Sequence, residues 1–247
     1  APPEVEVIAV TGDEDVQNQT RAANTRAPNE GGNVLIVCDA RRPPRHREIA
    51  ARARGAVVVE NADLTDFIRF AASFDMHAAT AADDLIDFAG STMTGVGAAQ
   101  MKQRLRVLFA GRERSPPNDA EAAALAFARA PSPTAAVTLL VEINRQAGVF
   151  PLRPALVRSA IQAFNGCVDA KDFHEMAVRA REQSRVKGRT LPRRAVGSTL
   201  LLKGLEADVA VIIDTDLLSA RDLYVAMTRG SRKLVICTAN PVLTPAV

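Results

Sequence analysis

The chain has 247 residues, 47% of them hydrophobic and 24% charged, with a formal net charge of +3. That length and apolar content allow one sizeable core or two smaller ones, the profile of an ordinary globular protein. No apolar run approaches the roughly 20 residues of a membrane-spanning helix. The opening Ala1-Pro2-Pro3-Glu4 has neither the basic nor the apolar region of a secretory signal. The missing initiator Met reads as a piece cut from a longer protein, and a cytoplasmic location is expected. Cys38, Cys167 and Cys237 are odd in number and far apart, and His46, His77 and His174 stand alone. Neither a disulfide framework nor a metal site follows from such spacing.

Val5 to Val10 alternates apolar and acidic residues and predicts a strand. Asp13 to Ala27 is polar and predicts a helix with Asp13 as its N-cap. After the Gly31-Gly32 break, Val34 to Cys38 is a continuous apolar run, the pattern of a parallel strand buried on both faces. Pro43-Pro44 opens a helix that runs to about Arg54, and Gly55 ends it. Val57 to Val59 predicts a further buried strand. Asp63 to Phe74 predicts a helix with Leu64, Phe67, Ile68 and Ala71 on one face.

From about Asp75 to Arg189 the texture is helical. Segments 82–88, 98–110, 119–129, 133–148, 153–164 and 170–186 each predict a helix, punctuated by Pro116-Pro117, Pro131, Pro133, Pro151 and Gly166. Asp83-Asp84 is best explained by a helix start next to Thr80, and Gly95-Val96-Gly97 is a turn with no strand before it. Strands return with short apolar runs at Thr199–Leu202, Val209–Ile213 and Leu234–Cys237, and Ala220 to Met227 predicts a helix between the last two. The expected architecture is α/β, a parallel sheet with helices on both faces, interrupted by an all-helical block. Its expected divisions are 1–75, 76–189 and 190–247.

Positive charge gathers in two stretches, Arg41 to Arg54 and Arg179 to Arg194. A nucleic-acid surface and a solvated helix face both fit them. There is no phosphate loop of the Gly-x-x-x-x-Gly-Lys-Ser/Thr kind and no Gly-x-Gly-x-x-Gly after a strand. Two C-terminal segments carry more. Ser198 to Ile213 reads Ser-Thr-Leu-Leu-Leu-Lys-Gly-Leu-Glu-Ala-Asp-Val-Ala-Val-Ile-Ile, a strand, a glycine-bearing turn flanked by Lys203 and Glu206, and a buried strand. The turn is expected at the sheet end where ligands bind in open α/β folds. Leu223 to Leu234 reads Leu-Tyr-Val-Ala-Met-Thr-Arg-Gly-Ser-Arg-Lys-Leu. Here a helix ends beside Arg229, whose guanidinium is suited to bidentate bonds with phosphate oxygens and equally to capping the helix C-terminus.

In this order the two segments resemble motifs V and VI of the UvrD/Rep-type superfamily 1 DNA helicases. Lys203-Gly204-Leu205-Glu206 matches the core of motif V, and Leu223 through Arg229 matches motif VI. In that family the second RecA-like domain, 2A, is interrupted by a helical subdomain, 2B, before motif V. The resemblance therefore implies a RecA-like sheet of the P-loop NTPase type for 1–75 and 190–247, with a 2B-like block at 76–189. It implies that Arg229 is the arginine finger of ATP hydrolysis, that Glu206 contacts the nucleotide ribose, and that Gly204 and Lys203 belong to the nucleotide site. Ser198 and Thr199 would face single-stranded DNA. ATP and Mg2+ would be cofactors of the intact protein and not of this chain alone. The partners would be single-stranded or partly duplex DNA and the first RecA-like domain, which carries the Walker motifs. Leu200 stands where the family usually has His, and Ala207 where it has Phe. The motif IV arginine has no clear counterpart, since Arg21 and Arg26 lie outside its pattern. A module that binds DNA or a protein without catalysis is the alternative.

Overall fold

The computed structural model describes residues 4–10, 15–112, 115–169, 172–187, 192–240 and 242–246. It divides into two units, Ala1–Glu60 with Thr190–Val247, and Asn61–Arg189.

The first unit is built on β1 (Val5–Ala9), β2 (Val34–Val37), β3 (Val57–Val58), β6 (Arg194–Gly197), β7 (Ala207–Ile212) and β8 (Gly230–Thr238). They form one six-stranded sheet in the order β1-β8-β7-β2-β6-β3. Every pairing is parallel. The protein is thus of the α/β class, with its sheet flanked by helices. Residues 34–38 are at most 2% exposed, which explains the unbroken apolar run of a strand covered on both faces. α1 (Asp15–Ala23), α2 (Pro43–Arg52) and α10 (Ala220–Met227) complete this unit. The connections through α1 and α2 step one way across the sheet, and those before and after β7 step the other way. Right-handed crossovers then place α1 and α2 on one face and α10 on the other.

One expectation needs correction here. Thr199 to Leu202 is not a strand: the strand is β6, in register with β2 from Val34 beside Arg194 to Val37 beside Gly197. A charged residue can open it because the Arg194 guanidinium donates to the carbonyls of Ala23 and Thr25. Leu202 is apolar because it lies over the sheet, where a Cβ on Gly197 would stand 3.3 Å from Leu202 Cγ. The helix expected from Asp13 begins at Asp15 among the described residues, and Asp13 itself lies outside them.

The second unit contains α3 (Thr65–Ser73), α4 (Ala81–Thr92), α5 (Ala98–Phe109), α6 (Asp119–Arg129), α7 (Pro133–Arg145), α8 (Pro154–Gly166) and α9 (Phe173–Lys187). Capping residues explain several starts. The Asn118 side chain accepts from Glu121 N while Glu121 reaches back to Asn118 N, a complete capping box on α6. Ser132 accepts from Ala135 N and Pro133 follows at N1 of α7. The unit is not wholly helical. β4 (Met93–Thr94) pairs antiparallel with β5 (Phe150–Pro151). At that crossing a Cβ on Gly95 would stand 2.2 Å from the Gly148 carbonyl oxygen, so the turn needs glycine for close backbone approach.

The boundary expected at 75 falls at 60 instead, because α3 buries its apolar face in the helical core. Leu64, Phe67 and Ala71 belong to one cluster with Phe88, Phe164 and Phe173. Phe164 and Phe173 stack with centroids 4.0 Å apart, and Phe67 meets Phe173 edge-on at 6.4 Å. Such aromatic pairs add about 1 kcal/mol each beyond their buried area. A helix following two βα turns looks like another sheet cover, and periodicity cannot say against which neighbour its face is buried.

Candidate functional site

The two motif-like segments lie side by side on one face of the sheet. The connection 198–206 leaves the carboxyl end of β6 and descends to the amino end of β7, and α10 descends beside it. Leu201, Leu202 and Leu205 of the connection share one apolar cluster with Leu218, Leu223 and Ala226. The strand pairings place its ends: Gly197 and Ile212 both lie level with Val37, while Ala207 precedes the level of Val34. Lys203, Gly204 and Glu206 therefore sit at the amino edge of the sheet. This corrects the expectation that the turn occupies the carboxyl edge, where open α/β sheets bind ligands. The segment reverses direction between β6 and β7 and spans the whole depth of the sheet.

At the amino edge Gly204 has φ +79°, a left-handed conformation open to glycine without a Cβ penalty. Lys203 and Glu206 are exposed. Arg229 is half-buried and folds back over the end of α10. Its Nε donates to the Val225 carbonyl at 3.0 Å, one Nη to the Leu205 carbonyl at 3.2 Å, and the other to Thr228 Oγ1 at 3.1 Å. Its own carbonyl accepts from Ala207 N at 3.0 Å. All three side-chain acceptors are uncharged, and no carboxylate pairs with Arg229 among the described residues. A guanidinium held by neutral acceptors beside an exposed lysine suits phosphate oxygens, and Glu206 beside them can accept from sugar hydroxyls. The donor set therefore fits a nucleotide. The bond to the Val225 carbonyl serves the helix C-terminus, which is the capping reading of Arg229.

At the carboxyl edge Ser198 and Thr199 are buried, 4% and 6% exposed. Ser198 Oγ accepts from Leu201 N at 3.4 Å, and Thr199 Oγ1 donates to Asp222 Oδ1 at 2.6 Å. Asp222 Oδ2 accepts from Ser219 Oγ at 2.7 Å, and Ser219 caps α10 through Asp222 N. Bonds from Thr199 and then Ser219 hold the Asp222 carboxyl below its ordinary pKa. Leu200 is 76% exposed and Tyr224 70%, so both lie on the surface.

One polar cluster escaped the sequence reading. Connections reverse direction between β7 and β2, the switch point at which ligands enter open α/β sheets. There Asp39 N donates to Asp214 Oδ2 at 3.1 Å, and Arg45 pairs with Asp214 Oδ1 at 3.5 Å. Arg41 Nε donates to Asp39 Oδ1 at 3.2 Å, and its guanidinium also donates to the Leu217 carbonyl. Buried His46 meets the Asp39 carbonyl at 3.2 Å, and desolvation pushes its pKa down. The available signal was an aspartate directly after each of two apolar runs, Val34–Cys38 and Val209–Ile213. The cluster fills the crevice with its own charges.

Part of the remaining charge is spent in pairs. In α9, Arg179 pairs with Glu175, and Arg185 with Glu182 and Asp63; Arg189 lies outside the described residues. A cavity of about 420 Å³ in the helical unit is lined by Phe70, Phe74, Asp66, Asp87 and Arg153 among others. Asp66 pairs with Arg153 and Asp87 with Lys102. All three cysteines are free, and burial raises the Cys237 thiol to about 12. No cluster suited to a metal ion occurs among the described residues, and no helix among them is long and apolar enough to cross a membrane. The chain matches no family model, no curated protein and no solved structure.

Proposed function

We propose that this chain is the second RecA-like portion of an ATP-dependent DNA helicase or translocase of the UvrD/Rep type, inactive without the first domain. The observation that carries the reading is the pairing of the two motif-like segments. Lys203-Gly204-Leu205-Glu206 and Arg229 are far apart in sequence, yet the Arg229 guanidinium bonds the Leu205 carbonyl of that turn. Two segments that resemble one family's adjacent motifs are thus adjacent in space. In the intact protein Arg229 would exchange its neutral acceptors for phosphate oxygens and stabilise the charge that develops in phosphoryl transfer. Glu206 would orient the ribose, with Lys203 and Gly204 completing the turn against the nucleotide. The buried Ser198-Thr199 end would form part of the floor of the single-strand track. ATP with Mg2+ supplies the phosphoryl-transfer chemistry, and the Walker motifs of the first domain would hold them.

The test is the single-stranded DNA-stimulated ATPase of the full-length protein, wild type against Arg229→Ala. Loss of about 10³-fold in turnover is expected, the scale of a missing arginine finger. The variant loses three bonds to neutral acceptors, about 1 kcal/mol or less each at this part-exposed site, and is expected to stay folded. Unchanged turnover removes Arg229 from the mechanism. A wild type that binds DNA without hydrolysing ATP leaves the non-catalytic binding module.

A further inference from the structure

The connection 198–206 and α10 are joined at both ends. At the carboxyl edge the join is Thr199 to Asp222, at 2.6 Å. At the amino edge it is Arg229, whose side chain reaches the Leu205 carbonyl and whose backbone carbonyl accepts from Ala207 N. Between them, packed leucines leave the two segments little freedom to slide independently. From Asp222 to Arg229 is about two helical turns, roughly 10 Å at 1.5 Å per residue. Both carboxylate oxygens of Asp222 are engaged by hydroxyls of known origin, Thr199 and Ser219. Leu200, where the resembling family carries His, is largely exposed and has no side-chain donor. Its neighbour Thr199 makes the polar bond across to α10 at this end.

We infer that Asp222 is a positioning residue: by holding Thr199 it makes the Ser198-Thr199 end of the connection and the Arg229 end of α10 move as one body. This rests on the helicase reading above and adds how its two sites communicate. A single strand that displaces the 198–199 end shifts α10 along its axis and changes the placement of Arg229. Coupling free energies between sites usually correspond to 5- to 150-fold effects, roughly, and demand a contact that both sites bias. The Thr199–Asp222 bond is that contact.

The experiment measures basal and single-stranded DNA-stimulated ATPase of the full-length protein, with thermal midpoints, for wild type, Asp222→Ala, Ser219→Ala and the Thr199→Val/Asp222→Ala pair. Asp222→Ala keeps the backbone cap from residue 222 N to Ser219 Oγ but loses the tie. It is expected to lower the stimulation ratio by about 10-fold or more, with basal turnover within about twofold of wild type. Ser219→Ala loses the cap and keeps the tie, so its midpoint falls by a few degrees while stimulation persists. Adding Thr199→Val to Asp222→Ala lowers stimulation no further, because the two changes remove one bond. The inference is overturned if basal and stimulated rates of Asp222→Ala fall in proportion, if its stimulation persists, or if Ser219→Ala loses stimulation equally. Absence of stimulated turnover in the wild type sinks the helicase reading itself and this inference with it; a stimulated wild type with an unaffected Asp222→Ala sinks the inference alone.

Discussion

The two edges of the sheet hold similar residue types in opposite circumstances. At the carboxyl edge Asp39, Asp214, Arg41 and Arg45 satisfy one another, and the Asp39 and Asp214 side chains are only 6% and 8% exposed. At the amino edge Lys203 and Glu206 stand in solvent, and Arg229 is bonded only to neutral oxygens. Charges already paired and desolvated contribute to the fold; charges left without a counterion remain available to a ligand. The general rule for open α/β sheets directs attention to the switch point between β7 and β2, yet Lys203, Glu206 and Arg229 lie at the opposite end. The connection 198–206 makes the difference, because it carries its glycine-bearing turn away from the carboxyl edge to the start of β7.

The comparison breaks first, and most visibly, at Asp214. Asp214→Ala leaves the Asp39 amide without its acceptor and takes one of two carboxylates from the largely buried Arg45, which keeps Glu48. An expected loss of about 2 kcal/mol follows from leaving a part-buried amide unsatisfied and weakening a partly buried ion pair, read as a lower urea midpoint at unchanged m-value. A loss under about 0.5 kcal/mol would mean that the carboxyl-edge network is as solvated as the amino edge.

Glu206→Gln is the matching change at the other edge. An exposed carboxylate with no side-chain partner among the described residues costs within about 0.5 kcal/mol of stability on removal. In the intact protein the same variant is expected to weaken nucleotide binding about tenfold, or 1.4 kcal/mol. Equilibrium titration with a fluorescent nucleotide checks the second figure. Stability loss with unchanged affinity would reverse the assignment of roles to the two edges.

The smallest effect is pH-dependent and belongs to the carboxyl edge. Desolvation lowers the folded-state pKa of His46 below its ordinary 6.5. The unfolded chain therefore takes up a proton first as pH falls. The contribution is fully present above about 6.5 and is lost progressively as pH drops toward the folded value. Thermal midpoints of the wild type should fall by a few degrees from pH 7.5 to 5.5. His46→Gln should flatten that part of the slope, while Glu206→Gln leaves it intact. An unchanged slope in His46→Gln would show that the imidazole titrates as if in water.

Local signals in the sequence were strong enough to place most elements. Apolar runs located β2, β3 and β7, and Asn118 and Pro133 marked the starts of α6 and α7. Ala220 to Met227 was legible as a helix, and the structure adds Ser219 as its cap. The reading failed where a residue type serves two purposes. Leu200 to Leu202 are as apolar as a strand, but they form the descending connection. Met93–Thr94 and Phe150–Pro151 make a bridge too short for any periodicity.

What the sequence determined by itself was the α/β class of the sheet unit, the helical texture of 76–189, and the two segments from Ser198 and from Leu223 in which the candidate chemistry lies. Each is written in local order, in runs, caps and short motifs. Tertiary structure alone decided which edge of the sheet carries Glu206 and Arg229, that α3 belongs to the helical core, and that Thr199 faces Asp222. Those outcomes depend on strand register, crossover direction and which apolar face finds which partner. They are properties of contacts between distant residues, and no window along the chain contains them.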